Sequence, residues 1–151
     1  MIGMRIAGGI LAVATLAGAT AYTAPDQPTP ATPPTATTAS QPPTETLTPL
    51  LQQALPNVQG KTFTSAIVDF PPGVRAAPHR HGEAFVYAYV LEGTVRSKLD
   101  DEPISTYPQG ENWVEQPGAH HLLTENTSRT NPAKLLVVFI STTGEKLKIN
   151  D

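Results

Sequence analysis

The chain has 151 residues, a formal net charge of −3 and no cysteine. A small acidic excess without a basic cluster excludes the positive face on which nucleic acids bind, so we expect no nucleic acid partner. Without cysteine the chain has no disulfide, no thiol nucleophile and no lipid attached through sulfur.

Residues 1–21 have the pattern of an export signal. A single basic residue, Arg5, precedes an uncharged run over 6–21, shorter than the roughly 20 residues that span a bilayer comfortably. Ala19-Thr20-Ala21 fits the small-x-small cleavage pattern and predicts a signal peptide removed after Ala21. We therefore expect an exported protein, periplasmic or secreted, with no stable membrane span after cleavage. The alternative is an uncleaved N-terminal anchor.

Residues 22–48 are built mainly from Pro, Thr, Ala and Ser. This composition buries too little apolar surface to offset the entropy lost on ordering, which predicts a disordered linker. Its proline density favours extended polyproline II segments and hence a semi-rigid tether. The segment is either a spacer that holds a domain off a membrane or wall, or an exported linker without a specific role.

Residues 49–151 remain for a single domain. The sequence predicts a short helix over 49–55 at its start. Thr48 can cap this helix, Pro49 suits its first turn, and Pro56 ends it.

After this helix the chain shows short β-rich runs separated by turn residues, without helical periodicity. Many short strands at close spacing predict an all-β sandwich or barrel. The runs over 84–91 and 135–141 are apolar on both faces, so we expect a neighbouring element or subunit to cover their outer side. The predicted strands span 61–70, 74–76, 84–91, 94–99, 104–107, 112–115, 120–124, 135–141 and 146–149.

The four histidines of the chain lie in two short segments. His79, His81 and Glu83 occupy alternate positions, and alternate residues of an extended strand point to one face. His121 lies downstream in a doublet with His120, and only one member of the doublet can face inward. Imidazoles with a carboxylate and open positions are the ligand set of a reactive divalent metal. The pattern predicts a divalent transition metal, iron, manganese, zinc or nickel, as cofactor.

The first histidine segment resembles a motif of the cupin superfamily. That motif runs glycine, five residues, His-x-His, three or four residues, Glu, six residues and glycine. Gly73, His79, His81 and Gly93 occupy the corresponding positions here.

The second histidine segment resembles the other cupin motif, which runs glycine, five residues, Pro-x-Gly, two residues, His, three residues and Asn. Gly110, Gly118 and His121 match it, while Gln116 takes the proline position and Asn126 comes one position late. The resemblance covers about residues 58–149 and implies a single cupin-type jelly-roll β-barrel.

The carboxylate of the first motif departs from the pattern. Counting back from Gly93 places it at Val86, which cannot bind a metal. Glu83 is the nearby carboxylate, and a two-residue shift keeps it on the histidine face of a strand. We therefore predict His79, His81, Glu83 and His121 as ligands. The competing view is a three-histidine site with Glu83 on the rim as an acid or base.

Aromatic residues flank the predicted site. Phe85, Tyr87, Tyr89 and Trp113 either line a cavity or fill the barrel core. Arg96 either faces the barrel mouth, where it can pair with a substrate carboxylate, or lies in solvent.

The cupin resemblance implies a metal-dependent dioxygenase or an isomerase/lyase acting on a small organic molecule, with catalytic residues unassigned. The alternative is a non-enzymatic module of the cell envelope that binds or senses a small ligand or a metal. A metal-free sugar-epimerase-like cupin fits poorly with three converging histidines. The resemblance is also compatible with a homodimer.

Overall fold

The computed structural model of the protein describes residues 42–151. The predicted signal peptide at 1–21 and most of the linker predicted at 22–48 lie outside these residues. No helix of the described part has the length and apolar character needed to cross a membrane.

The described chain folds into two antiparallel β-sheets. The strands are β1 Thr46–Ala54, β2 Lys61–Phe70, β3 Arg75–Ala76, β4 His79–Arg80, β5 Phe85–Glu92, β6 Thr94–Leu99, β7 Ser105–Pro108, β8 Asn112–Glu115, β9 His120–Asn126, β10 Ala133–Thr142 and β11 Ile149–Asn150. One sheet has the order β1-β2-β10-β5-β8, and the other has the order β11-β4-β9-β6-β7, with β3 also paired to β9. This arrangement confirms the all-β jelly-roll fold.

The core lies between the two sheets and follows the alternation of the long strands. Residues of β2 and β10 alternate between buried and partly buried along both strands, as side chains on opposite faces of a sheet should. Val68, Phe70, Leu135, Val137 and Phe139 belong to the buried cluster. The register between β10 and β5 determines which face of β5 points into the core, because a shift of one residue would turn every side chain to the other face.

The helix predicted over 49–55 is wrong, because this segment belongs to strand β1. Residues of β1 pair with β2 from Thr46 to Ala54, with a bulge between Pro49 and Leu51. The strand is exposed along its length and lies at the edge of its sheet, where a proline is tolerated. Backbone pairing with β2 therefore overrides a local helix preference that no buried face reinforces.

The outer face of the first sheet carries a row of apolar side chains. Tyr87 pairs with Val138 on one side and with Val114 on the other, and Val114 is 42% exposed. Ile140 of β10 is exposed as well. This face can receive a second copy, and the homodimer stays a prediction that sedimentation of the full chain will decide.

Candidate metal centre

Three histidines converge at the inner surface of the second sheet. His79 on β4 and His121 on β9 are directly paired, and paired residues of an antiparallel ladder share a face. His81 follows β4 on the same side, and its ring centroid lies 4.8 Å from that of His79. The candidate ligand atoms of the three residues lie within 4.8 Å of one another. This group can hold a metal ion.

Backbone carbonyls orient two of the three rings. Nδ1 of His79 lies 2.7 Å from the oxygen of Ala77, and Nδ1 of His81 is hydrogen bonded to the oxygen of Leu147. A carbonyl only accepts hydrogen bonds, so each Nδ1 is the protonated nitrogen. Each Nε2 then keeps its lone pair for a metal, and such fixed tautomers are typical of metal-ligating histidines.

The third ring has partners at both nitrogens. Nε2 of His121 lies 2.8 Å from Oγ of Ser97 and 2.7 Å from Oγ1 of Thr124. Its Nδ1 lies 3.0 Å from Oε1 of Glu115. Because a hydroxyl can donate or accept, two tautomers satisfy Nε2. In one, Nδ1–H donates to Oε1 of Glu115; in the other, the Nδ1 lone pair faces the carboxylate, and a cation between them would satisfy both.

The carboxylate at this site belongs to Glu115, which the sequence analysis missed. Glu115 lies directly opposite Val86 in the pairing of β8 with β5. Its side chain is therefore on the same face of the sheet as Val86, the residue at the carboxylate position of the first cupin motif. The residue is 3% exposed, and its Oε1 accepts a hydrogen bond from Nε1 of Trp113 at 3.1 Å. The one sequence signal was the strand alternation that places Trp113 and Glu115 on the same face.

One oxygen of Glu115 is free to bind a cation. Among the described residues, Oε2 is buried without a hydrogen-bond partner, and Nε2 of His81 approaches it at 3.5 Å. Burial acts to raise the pKa of Glu115, but His121 and His81 outweigh it and hold this pKa below its ordinary value. A buried, ionised oxygen without a donor is rare in folded proteins, and a divalent cation would satisfy it.

Glu83 does not join the cluster. The residue is exposed in a turn after β4, and its backbone N–H donates to Oε1 of Glu145 at 2.7 Å. Glu83 would share the face of His79 and His81 only if one unbroken strand ran from His79 to Glu83. Instead, Gly82 has a φ of 57°, which ends the extended conformation and turns the Glu83 side chain away.

His120 and Arg96 also lie away from the cluster, as the choice of His121 from the doublet requires for His120. His120 alternates with His121, and its Nε2 lies 2.8 Å from Oδ2 of Asp151. Nε of Arg96 donates to Oε1 of Glu125 at 2.8 Å, and neither residue lines the cavity at the histidines.

The histidines open into a cavity of about 240 Å³ between the sheets. Trp113 lines this cavity, whereas the three aromatic residues of β5 lie on the partly exposed face of that strand. The remaining wall is mainly apolar, with Val68, Phe70, Val137 and Phe139 among its members. The cavity therefore suits a small organic ligand with an apolar body.

Burial favours the neutral form of His79 and His81 in the metal-free protein. Burial lowers the pKa of His79 from 6.5 to about 4, although the hydrogen bond to Ala77 opposes the shift. Burial also lowers the pKa of His81, against the charge of Glu115. A neutral imidazole is the form that binds metal, so protons compete weakly at this centre.

This shift predicts acid sensitivity of the metal-free protein. The unfolded chain takes up a proton at His79 near pH 6.5 and the folded chain only near pH 4. The free energy of unfolding should therefore fall as the pH decreases through this window, by about 3 kcal/mol from His79 alone. Urea unfolding at several pH values measures the loss. The variant His79→Gln should show a flatter profile, and an equal slope in both proteins would contradict the assignment.

Comparison with known proteins points to one family. A family model described as "Cupin domain" matches residues 66–139. No curated protein matches the chain.

Solved structures share the fold. The cupin domain of Cnp3 from Schizosaccharomyces pombe is 12% identical, with a TM-score of 0.55 over 66% of this chain. A recombinant oxalate oxidase in complex with glycolate is 20% identical, with a TM-score of 0.56 over 70% of this chain. DMSP lyase DddQ from Ruegeria pomeroyi DSS-3 is 20% identical, with a TM-score of 0.52 over 58% of this chain. The chain spans 62%, 54% and 42% of these proteins, respectively.

Proposed function

The chain belongs to the cupin superfamily, and on this basis we propose that it is an exported metal-dependent cupin acting on a small organic molecule. His79, His81 and His121 would hold a divalent transition metal. Glu115 would supply the carboxylate that the sequence analysis assigned to Glu83. The pattern of residues 1–21 supports export.

One observation carries this proposal. His79, His81 and His121 each have one ring nitrogen hydrogen bonded to another group of the protein. The three rings converge beside Oε2 of Glu115, a buried carboxylate oxygen that accepts no hydrogen bond. An arrangement of lone pairs directed at one another costs free energy in a dry site unless a cation satisfies them. The mixed nitrogen and oxygen donors suit iron, manganese, zinc or nickel.

A metal bound here would act as a Lewis acid with positions left open for substrate or dioxygen. The protein itself orients the three rings through Ala77, Leu147 and the hydroxyls beside His121. The apolar wall of the cavity excludes water and strengthens the electrostatic interactions of the polar groups. Oxalate oxidase and DMSP lyase have this fold, so dioxygenase-like and isomerase- or lyase-like reactions both suit the site.

The test begins with the full chain, expressed with its own N-terminus and purified without an affinity tag. Its mass shows whether residues 1–21 are removed, and elemental analysis should find about one transition metal per chain. Turnover of a panel of small organic molecules, with oxygen uptake recorded in parallel, then identifies the reaction. Oxygen uptake supports a dioxygenase, and substrate loss without it supports an isomerase or lyase. A bound metal without turnover favours the non-enzymatic binding module, and no metal binding contradicts the proposal.

A further inference from the structure

A charged pair lies in the wall of the metal-site cavity. Nζ of Lys148 lies 2.6 Å from Oε1 of Glu45, and both residues line the cavity. The side chains are 34% and 19% exposed, so the pair lies at the cavity mouth. Apart from the histidines, Lys148 is the cationic residue among the described residues that line this cavity.

The backbone ties Lys148 to the metal site. Its neighbour Leu147 accepts the hydrogen bond from Nδ1 of His81, and Leu147 also lines the cavity. Lys148 and the three histidines line the same cavity. The ammonium group therefore acts on the same space as the candidate metal ligands.

We infer that Lys148 anchors the carboxylate of a small organic acid whose other end lies at the histidine cluster. This inference rests on the proposed function and names its substrate class. In the structure the carboxylate of Glu45 takes the place that the acid would occupy. Glu45 is thus an internal competitor for the Lys148 ammonium group.

Glu45 can yield this place at little cost. It precedes β1 and lies in residues 42–45, which belong to no strand. An ion pair open to solvent contributes little to stability, so exchanging one carboxylate for another is nearly neutral. The exchange also keeps Lys148 paired, which avoids an uncompensated charge at the cavity.

The cavity limits the size of the acid. A volume of about 240 Å³ lies below the range of roughly 300–1,000 Å³ that is usual for pockets of drug-sized ligands. The wall between the histidines and Lys148 is mostly apolar, with Val68, Leu135 and Phe139 as examples. A compact acid with an apolar body therefore fits better than a sugar or a nucleotide.

The single tryptophan of the chain, Trp113, lines the cavity and reports binding without turnover. Zinc-loaded and metal-free full chain are titrated with acetate, glycolate and benzoate and with the matching neutral amides. We expect at least one acid to change the fluorescence saturably and its amide to bind more weakly. Lys148→Met should weaken the acid about tenfold or more, since it removes a charged hydrogen-bond donor. Glu45→Gln should tighten it, because the competing charge is gone.

Two controls separate anchoring from damage to the fold. Lys148→Arg should restore most of the affinity. Lys134→Met removes the exposed ion pair between Lys134 on β10 and Asp69 on β2, and it should leave acid binding unchanged. Equal binding of acids and amides, no binding of any acid, or equal effects of Lys148→Met and Lys134→Met would each overturn the inference. Zinc binding measured by calorimetry in the same proteins tests the proposed function separately.

Discussion

Replacing His121 by alanine is expected to abolish tight binding of a transition metal. His121 is 3% exposed, pairs directly with His79, and supplies one of three converging imidazoles. The affinity should fall by more than about 100-fold, because loss of an orienting partner alone typically costs about 10–100-fold. Calorimetric titration of the metal-free protein with zinc measures the effect. Thermal unfolding gives a second readout, since a bound metal stabilises only the folded state.

The adjacent histidine provides the matched control. His120 differs by one position on β9, and its ring is directed at Asp151 instead of the cluster. His120→Ala should therefore leave zinc affinity unchanged while removing the same number of atoms from the same strand. Equal losses in the two variants would show that the effect comes from damage to β9 and would contradict the metal centre.

Replacing Glu115 by glutamine is expected to weaken metal binding by about 10–100-fold. Glutamine keeps the size of the side chain but removes the charge that faces Nδ1 of His121 and Nε2 of His81. It also directs either an amide donor or a neutral oxygen at the site of the cation. The same zinc titration applies, at a pH near 7 where the carboxylate is ionised.

Glu83→Gln is the comparison that separates the two candidate carboxylates. Glu83 is exposed and holds Glu145 through its backbone N–H, which the substitution preserves. We expect no change in metal affinity. A loss at Glu83 with none at Glu115 would restore the assignment made from the sequence and contradict the structural one.

Features set by local interactions could be predicted from the sequence, whereas features set by long-range pairing could not. Strands such as 61–70, 94–99 and 112–115 were predicted with the bounds that the structure shows, because turn residues and alternation are local signals. The leucines and glutamines of residues 49–55 favour a helix locally, but pairing with β2 makes this segment a strand. Asn126, one position late against the motif, is fully buried and donates from Nδ2 to the backbone oxygen of Asn131 at 2.8 Å.

By itself the sequence determined the all-β class, the cupin family and the convergence of His79, His81 and His121. The class follows from local alternation, whereas the family and the meeting of the two histidine segments follow from the resemblance to the two cupin motifs. Only the tertiary structure decided which carboxylate lies beside the histidines and which lysine lines the cavity. Glu115 reaches the site through its register with Val86, and Lys148 reaches it through the final segment of the chain. Cross-strand neighbours are set by long-range pairing, which no local pattern encodes.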